Sequence, residues 1–352
     1  MRVTFEGRRA TGVEFSYQGQ TYHLRATLEV VLSLGAIHTP KVLMQSGIGD
    51  QAELQRFGIP LLQHLPGVGQ NFQDHPAFGC VWECVEALDA RNTMCEATFF
   101  WRSKTGIDTP DLQTCQAEIP FSSAENAARF GMPASGWSLF GGVVRPKSRG
   151  RIRLTGPNPP DPVQIEANFL SHPDDLQAAI ACVELCREIG NSTPLQPFVK
   201  REVMPGNLKG VELEDFVRNG IVTFWLQTCT AKMGRDSMSV VDGNLRVYGI
   251  DNLRIADGSI MPRVTTGNTM APCVIIGERA QKSCRLHITL NSETPATVSR
   301  LTTVSLRRGK VTLSTLQDEA ASSGHSADKD RMKRSWHLRY QKFLLARGRL
   351  SV

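Results

Sequence analysis

Apolar and polar positions alternate through residues 1–25, in Val3 and Phe5, in Gly12-Val13-Glu14-Phe15 and in Thr21-Tyr22-His23-Leu24. A period of two predicts strands, with a turn at Gln18-Gly19. Glu29-Val30-Val31-Leu32-Ser33-Leu34-Gly35-Ala36 is nearly continuous in apolar residues and ends in Gly. Such a run predicts a strand buried on both faces. Thr39-Pro40 then predicts a helix start, with Thr as N-cap and Pro in the first helical position. A second short helix is expected over 51–57. Residues 66–76 are Gly- and Pro-rich and polar, which predicts a loop and a domain boundary.

Alternation returns over 77–165 among many turn signals, as in an antiparallel sheet, most clearly at Gly150-Arg151-Ile152-Arg153-Leu154. Leu176, Ala179, Ile180, Val183, Leu185 and Ile189 recur at helical spacing, so 172–190 is expected to be an amphipathic helix. Asp174-Asp175 load its N-terminus favourably. Further helices are expected at about 212–219 and 272–281, with a short strand at 253–256. Cys182 and Cys186, four apart on the apolar helix, are expected in the core and not at a metal; no metal site is expected. From 286 the chain becomes rich in Thr and Ser, 318–330 reads as disordered, and 331–350 sets Met332, Trp336, Tyr340, Phe343 and Leu344 on one helical face among seven basic residues.

Composition adds exclusions. The 352 residues are 41% hydrophobic and 21% charged, an ordinary globular balance that excludes a coiled coil or a disordered chain. No run approaches the roughly 18 apolar residues of a membrane span, and the N-terminus reads as lacking a secretory signal. Nine cysteines, an odd number at low density, point to reduced thiols in the cytoplasm or another intracellular compartment. The net charge of +6 sits in the tail: residues 286–352 hold 12 basic and 5 acidic residues, leaving 28 against 29 in the remainder. The body therefore gives no reason to expect nucleic-acid binding. The basic end is expected to be solvated, with an acidic membrane surface or a helix-binding partner as the alternatives.

Two segments imitate a dinucleotide fingerprint, Gly47-Ile48-Gly49-Asp50-Gln51-Ala52 and Gly67-Val68-Gly69. The fingerprint needs a strand before it and a helix after it. The first segment follows a helix and the second lies in a loop, so both are read as turns. The run from Gly35-Ala36-Ile37-His38-Thr39-Pro40 to Ser46-Gly47-Ile48-Gly49, followed by Gly67-Val68-Gly69-Gln70-Asn71-Phe72-Gln73-Asp74-His75-Pro76, carries more information. It closely resembles the second signature of the glucose–methanol–choline (GMC) family of flavin oxidoreductases. Arg145–Leu154, Asn168–Asp175, Lys232-Met233-Gly234, Leu253–Pro262 and Gly267-Asn268-Thr269-Met270-Ala271-Pro272 agree in order and spacing. The resemblance covers about 1–283 and is greatest to the choline dehydrogenase-like branch.

The resemblance implies a mixed α+β and α/β fold. A partial Rossmann-like FAD domain (1–75 and 226–283) is interleaved with an antiparallel-sheet substrate domain (76–225), and 284–352 is a tail foreign to the family. It implies FAD as cofactor and a small-molecule alcohol as substrate, oxidised by hydride transfer to the flavin while a side-chain base takes the hydroxyl proton. By resemblance Asn268 holds the second catalytic position. Trp225 stands beside the flavin ring, and Leu226, Asp257, Gly258 and Thr269 belong to the cofactor-facing set. Asn268 also reads as a helix-entry cap, and His75 as structural. The chain departs from the family at three points. The family's N-terminal third, with its strand–GxGxxG–helix, has no counterpart. Leu226 occupies the place of the catalytic His, and no His occurs between His172 and His287. The tail runs on past the last helix. A non-catalytic remnant and a flavin-dependent lyase or cyclase stay open beside the oxidoreductase.

Overall fold

The computed structural model describes residues 1–86, 95, 97–291, 301–307 and 310–316, with side chains as far as Cys284. Two compact units result, Met1–Glu293 and Thr294–Val352. Strands β1 (Arg2–Glu6), β2 (Arg9–Tyr17) and β3 (Gln20–Arg25) form an antiparallel sheet. Its second turn falls at Gln18-Gly19, with φ of 50° and 78°, the left-handed pair that suits the twist of a hairpin. Next come β4 (Val30–Leu32), α1 (Gly35–Gln45), β5 (Ile48–Gly49), α2 (Gln51–Gln55), β6 (Gln63–His64) and β7 (Gln70–Phe72).

The expected antiparallel run is present as β8 (Pro76–Cys84), β9 (Ala97–Trp101), β10 (Leu112–Ala117), β11 (Gly136–Val143), β12 (Gly150–Leu154) and β13 (Val163–Glu166), with α3 (Ala124–Phe130) between β10 and β11. There follow α4 (Pro173–Gly190), β14 (Val199–Met204), α5 (Gly210–Gly220), β15 (Val222–Thr223), β16 (Leu253–Ile255) and α6 (Met270–Asn291). The main sheet runs β14-β8-β11-β10-β9, and β15 also pairs with β8. In the second unit, β17 (Leu301–Arg307) and β18 (Lys310–Leu316) form an antiparallel hairpin. The stretches read from sequence as disordered (318–330) and as a basic amphipathic helix (331–350) lie outside the described residues.

Three expectations change. Helix α1 begins at Gly35, so Thr39 and Pro40 fall inside it instead of starting it. The cap comes from far along the chain: the Asp257 carboxylate accepts from the Gly35 amide at 2.9 Å and from the Thr39 hydroxyl at 2.6 Å. Gly35 has φ of 79°, a left-handed conformation that Gly adopts without strain. Pro40 cannot donate to the Ala36 carbonyl four residues back. The Thr230 hydroxyl satisfies that carbonyl at 2.6 Å.

The second change concerns β4, which is three residues long with Val30 and Leu32 buried and Val31 41% exposed. It pairs in parallel with β16, Val30 opposite Leu253 and Leu32 opposite Ile255. Third, α6 continues to Asn291, beyond the expected end at Gln281. Over its described side chains it is seated by Cys273, Ile276 and Ala280, while Met270, Val274 and Ile275 are exposed.

Two hydrophobic clusters organise the first unit. One joins Leu32, Leu43, Ile48, Leu54 and Phe72 to Val241, Leu253, Ile255 and Ile260. The other packs Phe78, Trp82, Leu112 and Leu139 of the main sheet against Leu176, Ala179, Cys182, Val183 and Cys186 of α4 and Phe216 of α5. His172 caps α4, its ring Nδ1 accepting from the Asp174 amide at 3.2 Å.

Among the described residues, β4 and β16 form a parallel pair three residues long, with apolar side chains of β4 and α6 exposed. Parallel strands are ordinarily covered on both faces. Amide hydrogen exchange should therefore be faster at Val30–Leu32 and Leu253–Ile255 than in β8, β10 and β11. Uniformly slow exchange across both regions would contradict this.

Candidate active site

Strand pairing defines a wall. Gln113 of β10 lies opposite Gly142 of β11 and Phe100 of β9, and Cys115 lies opposite Phe140 and Thr98. Gly142 and Phe140 in turn face Ala77 and Gly79 of β8. Paired residues share a face and neighbours along a strand alternate. Thr114 accordingly points the other way, its hydroxyl 3.7 Å from the Cys182 sulfur in the α4 core. The face bearing Gln113 is covered by rings. Phe140 meets Phe121 edge-on at 4.7 Å and Phe224 at 4.7 Å, and Trp225 stands 6.2 Å from both Phe140 and Phe121. Gly142 makes room for this: a Cβ there would come within 3.0 Å of the Phe224 ring.

The loop after β7 holds the segments beside the wall. Asp74 is 1% exposed. Its carboxylate accepts from the Leu226 amide at 3.0 Å, the His75 amide at 2.7 Å and the Thr223 hydroxyl. The Thr223 oxygen also accepts from the Trp225 amide at 2.8 Å and from the Gln227 side chain at 2.7 Å. This anchors Trp225, which has φ of 62° and is 55% exposed. Gln73 exchanges backbone hydrogen bonds with Thr228, and its side-chain oxygen accepts from the Val264 amide at 3.2 Å. Asn71 Nδ2 donates to the carbonyls of Cys229 and Pro262, and His75 Nε2 donates to the Thr265 carbonyl at 3.0 Å. One short loop thus ties together the segment carrying Leu226 and the segment leading to Asn268.

Burial tunes two of these groups. It raises the Asp74 carboxyl above the usual carboxylate range, against the hydrogen bonds from Thr223, Leu226 and His75 that lower it. It also depresses the His75 imidazole to about 4, opposed by the hydrogen bond to Thr265. His75 is fully buried and edge-on to Phe224, so it is a neutral interior donor.

The residues singled out by sequence fall into two groups. Trp225 and Asn268 both reach the wall, and Leu226 follows Trp225 with its amide held by Asp74. Asn268 is exposed, and its Oδ1 accepts from Gln113 Nε2 at 3.3 Å. Gly267, with φ of 94°, leads the chain past the Phe100 ring. Thr269 is buried, and its carbonyl accepts from the Cys273 amide in the first turn of α6. Asp257 and Gly258 follow β16, where the Gly258 carbonyl accepts from the Cys229 amide at 3.1 Å, three residues past Leu226. Besides capping α1, the Asp257 carboxylate accepts from the Ser259 amide at 2.8 Å, so chain donors occupy both its oxygens. A Cβ on Gly258 would sit 3.3 Å from the Cys273 sulfur. Sequence reading missed Gln113, the Phe121–Phe140–Phe224 cluster and the tethering role of Asn71, Gln73 and Asp74. Strand alternation could have put Gln113 and Cys115 on one face, but nothing local shows which face bears the site. Among the described residues no His, Cys, Asp and Glu cluster is arranged for a metal.

Comparison with known proteins gives this arrangement a family. Residues 1–77 and 146–277 match the N-terminal and C-terminal models described as GMC oxidoreductase. Human mitochondrial choline dehydrogenase is 36% identical over 307 residues, covering 79% of this chain and 51% of the human protein. The oxygen-dependent choline dehydrogenase of Brucella ovis is 34% identical over 308 residues, covering 79% and 55%. The crystal structure of pyridoxine 4-oxidase from Mesorbium loti superposes with a TM-score of 0.76 at 30% identity, covering 82% of this chain and 56% of that one. A formate oxidase does so at 0.74 and 22%, covering 82% and 60%; that likeness concerns the fold alone.

The chain belongs to the GMC oxidoreductase family, in its choline dehydrogenase-like branch, and its mixed α/β fold with antiparallel sheets is that of the GMC flavoproteins. FAD is the cofactor of this family. The chain spans about half the length of the curated relatives it matches.

The buried imidazole sets a pH dependence. His75 binds its proton less readily when folded (about 4) than when unfolded (6.5). Its contribution to stability is therefore complete above pH 6.5 and is lost as pH falls toward 4. Between pH 6.5 and 5 the loss should reach about 2 kcal/mol. Urea unfolding across that interval should show it in the wild type, and a flatter profile in His75→Phe. Equal slopes in the two proteins would assign the pH dependence elsewhere.

Proposed function

We propose that this chain supplies the substrate-facing side, and part of the cofactor-facing side, of an FAD-dependent oxidoreductase acting on a small-molecule alcohol. The observation that carries the reading is the placing of Trp225 and Asn268 at the aromatic wall, in a chain whose family matches span both halves. The two hydrophobic clusters support a division into a flavin side (1–75 and 226–283) and a substrate side (76–225), with 284–352 apart, except at β12, whose Ile152 and Leu154 pack in the first cluster. An exposed carboxamide beside half-open aromatic rings suits the ring end of a flavin. The diphosphate end is less well provided for, since Asp257 spends its oxygens within the chain. FAD, when bound, supplies the hydride acceptor. The chain's own residues orient the alcohol through Asn268 and exclude water with Phe121, Phe140, Phe224 and Trp225. A Leu at 226 neither accepts a proton nor makes a hydrogen bond with its side chain.

The odd number and low density of the nine cysteines support a reducing compartment, the cytoplasm or another intracellular space. No helix among the described residues is long and apolar enough to cross a membrane.

Two outcomes test this reading. Diphosphate contacts at a helix N-terminus provide much of the FAD affinity of such folds. The chain as it stands should therefore emerge colourless from gel filtration and bind added FAD weakly. A stoichiometric yellow band that survives gel filtration would contradict this. General-base catalysis is worth roughly 10²–10⁴ in rate. Joined behind a strand–GxGxxG–helix segment, Leu226→His should reduce flavin faster than the unsubstituted protein by about that factor, with alcohol under anaerobic conditions. Equal, fast reduction by both would show that Leu226 does not occupy the base position.

A further inference from the structure

The family match does not explain Gln113. Its side chain is 3% exposed, it lies on the wall face of β10, and its carboxamide points two ways. Nε2 donates to Asn268 Oδ1 at 3.3 Å and lies 3.9 Å from the Cys115 sulfur. Oε1 is buried without a partner. The opposite orientation would bury an amide NH₂ in that position. An unpaired buried donor is rarer in proteins than an under-used carbonyl oxygen. The orientation with Nε2 toward Asn268 is therefore the favoured one, and it makes Gln113 a donor to Asn268.

We infer that Gln113 is a positioning residue that fixes the Asn268 carboxamide by its oxygen and so turns the Asn268 NH₂ toward the substrate oxygen. The inference rests on the reading that Asn268 faces the substrate. Once Oδ1 is engaged by Gln113, the free end of Asn268 is a pure donor. Leu226 offers no acceptor, and the Asp74 carboxylate is enclosed by its three donors. The Thr98 hydroxyl donates to the Thr114 carbonyl at 3.0 Å and lies 3.2 Å from the Cys115 sulfur. The group that Asn268 itself presents is thus a donor. It favours an oxygen that only accepts, as in a carbonyl product or an alkoxide-like oxygen, over the hydroxyl of a neutral alcohol.

Acetophenone and 1-phenylethanol share a skeleton and differ in this respect: the ketone only accepts, whereas the alcohol must also donate. Ligand-observed NMR titrations of the full chain with each probe, at pH 8, need neither flavin nor turnover. Failure here is therefore distinguishable from failure of the proposed oxidoreductase activity. The wild-type chain should bind the ketone about 3- to 10-fold more tightly than the alcohol, the range of one hydrogen bond. In Gln113→Glu the carboxylate accepts from Asn268 Nδ2, turns Oδ1 outward and shifts the ratio toward the alcohol by a similar factor. Gln113→Met removes the donor without adding charge and should bring the ratio close to one. It also provides the test if the Glu variant does not fold.

A merely structural role for Gln113 would weaken both probes alike and leave their ratio unchanged, which would overturn the inference. A wild-type preference for the alcohol, or binding of neither probe, would overturn it as well.

Discussion

A carboxylate in a dry interior persists only where donors converge on it. Asp74 meets that condition with two backbone amides and a hydroxyl, and two of the three come from the segment that carries Leu226. The convergence turns a desolvation cost into a positional constraint: the carboxylate stays buried only while the 223–226 backbone stays where it is. Trp225 keeps its positive φ under the same hold. Gln73 and His75 extend the constraint to Val264 and Thr265, so the approach to Asn268 is set by neighbours of the same carboxylate.

A second carboxylate works at the other end of the family signature. Asp257 follows β16 yet caps α1, whose first residue lies 222 positions earlier. The parallel register of β4 with β16 brings the two together. The buried Arg254 guanidinium strengthens the joint, donating to Glu29 at 2.6 Å just before β4. Such pairs contribute more to a unique arrangement than to net stability. Here the arrangement is that of a strand-to-helix turn assembled from both ends of the sequence. Thr230, with its hydroxyl on the carbonyl that Pro40 leaves open, belongs to the same joint.

Much of this was legible in residue order. The hairpin at Gln18-Gly19, the alternation of Gly150–Leu154 and the helical spacing of Leu176, Ala179 and Val183 each express a local rule, and each element formed where expected. Legibility failed where a partner distant in sequence decides. Thr39-Pro40 has the composition of a helix start, but a cap arriving from Asp257 moves the start to Gly35. Val31 sits in an apolar run, yet its exposure depends on what packs beside β4. The family motif indicated Trp225, Leu226 and Asn268 as a set. Gln113 carries no motif, since its meaning comes from pairing across three strands and contact with a loop 155 residues away.

The two hydrophobic clusters share no residue, and the chain passes from β7, with Phe72 in the first, to β8, with Phe78 in the second, through residues 73–75. Free-energy changes at sites without common neighbours are close to additive. Substitutions on the ring-lined face of the main sheet should therefore leave the β4–β16 joint largely undisturbed, and the reverse should hold. Mutational independence of this kind lets ligand preference drift across descendants of one scaffold while the remainder stays recognisable. One exception is the segment Asn71–His75: it joins β7 to β8 and holds Leu226, Cys229, Val264 and Thr265, so a change there is felt along several segments at once.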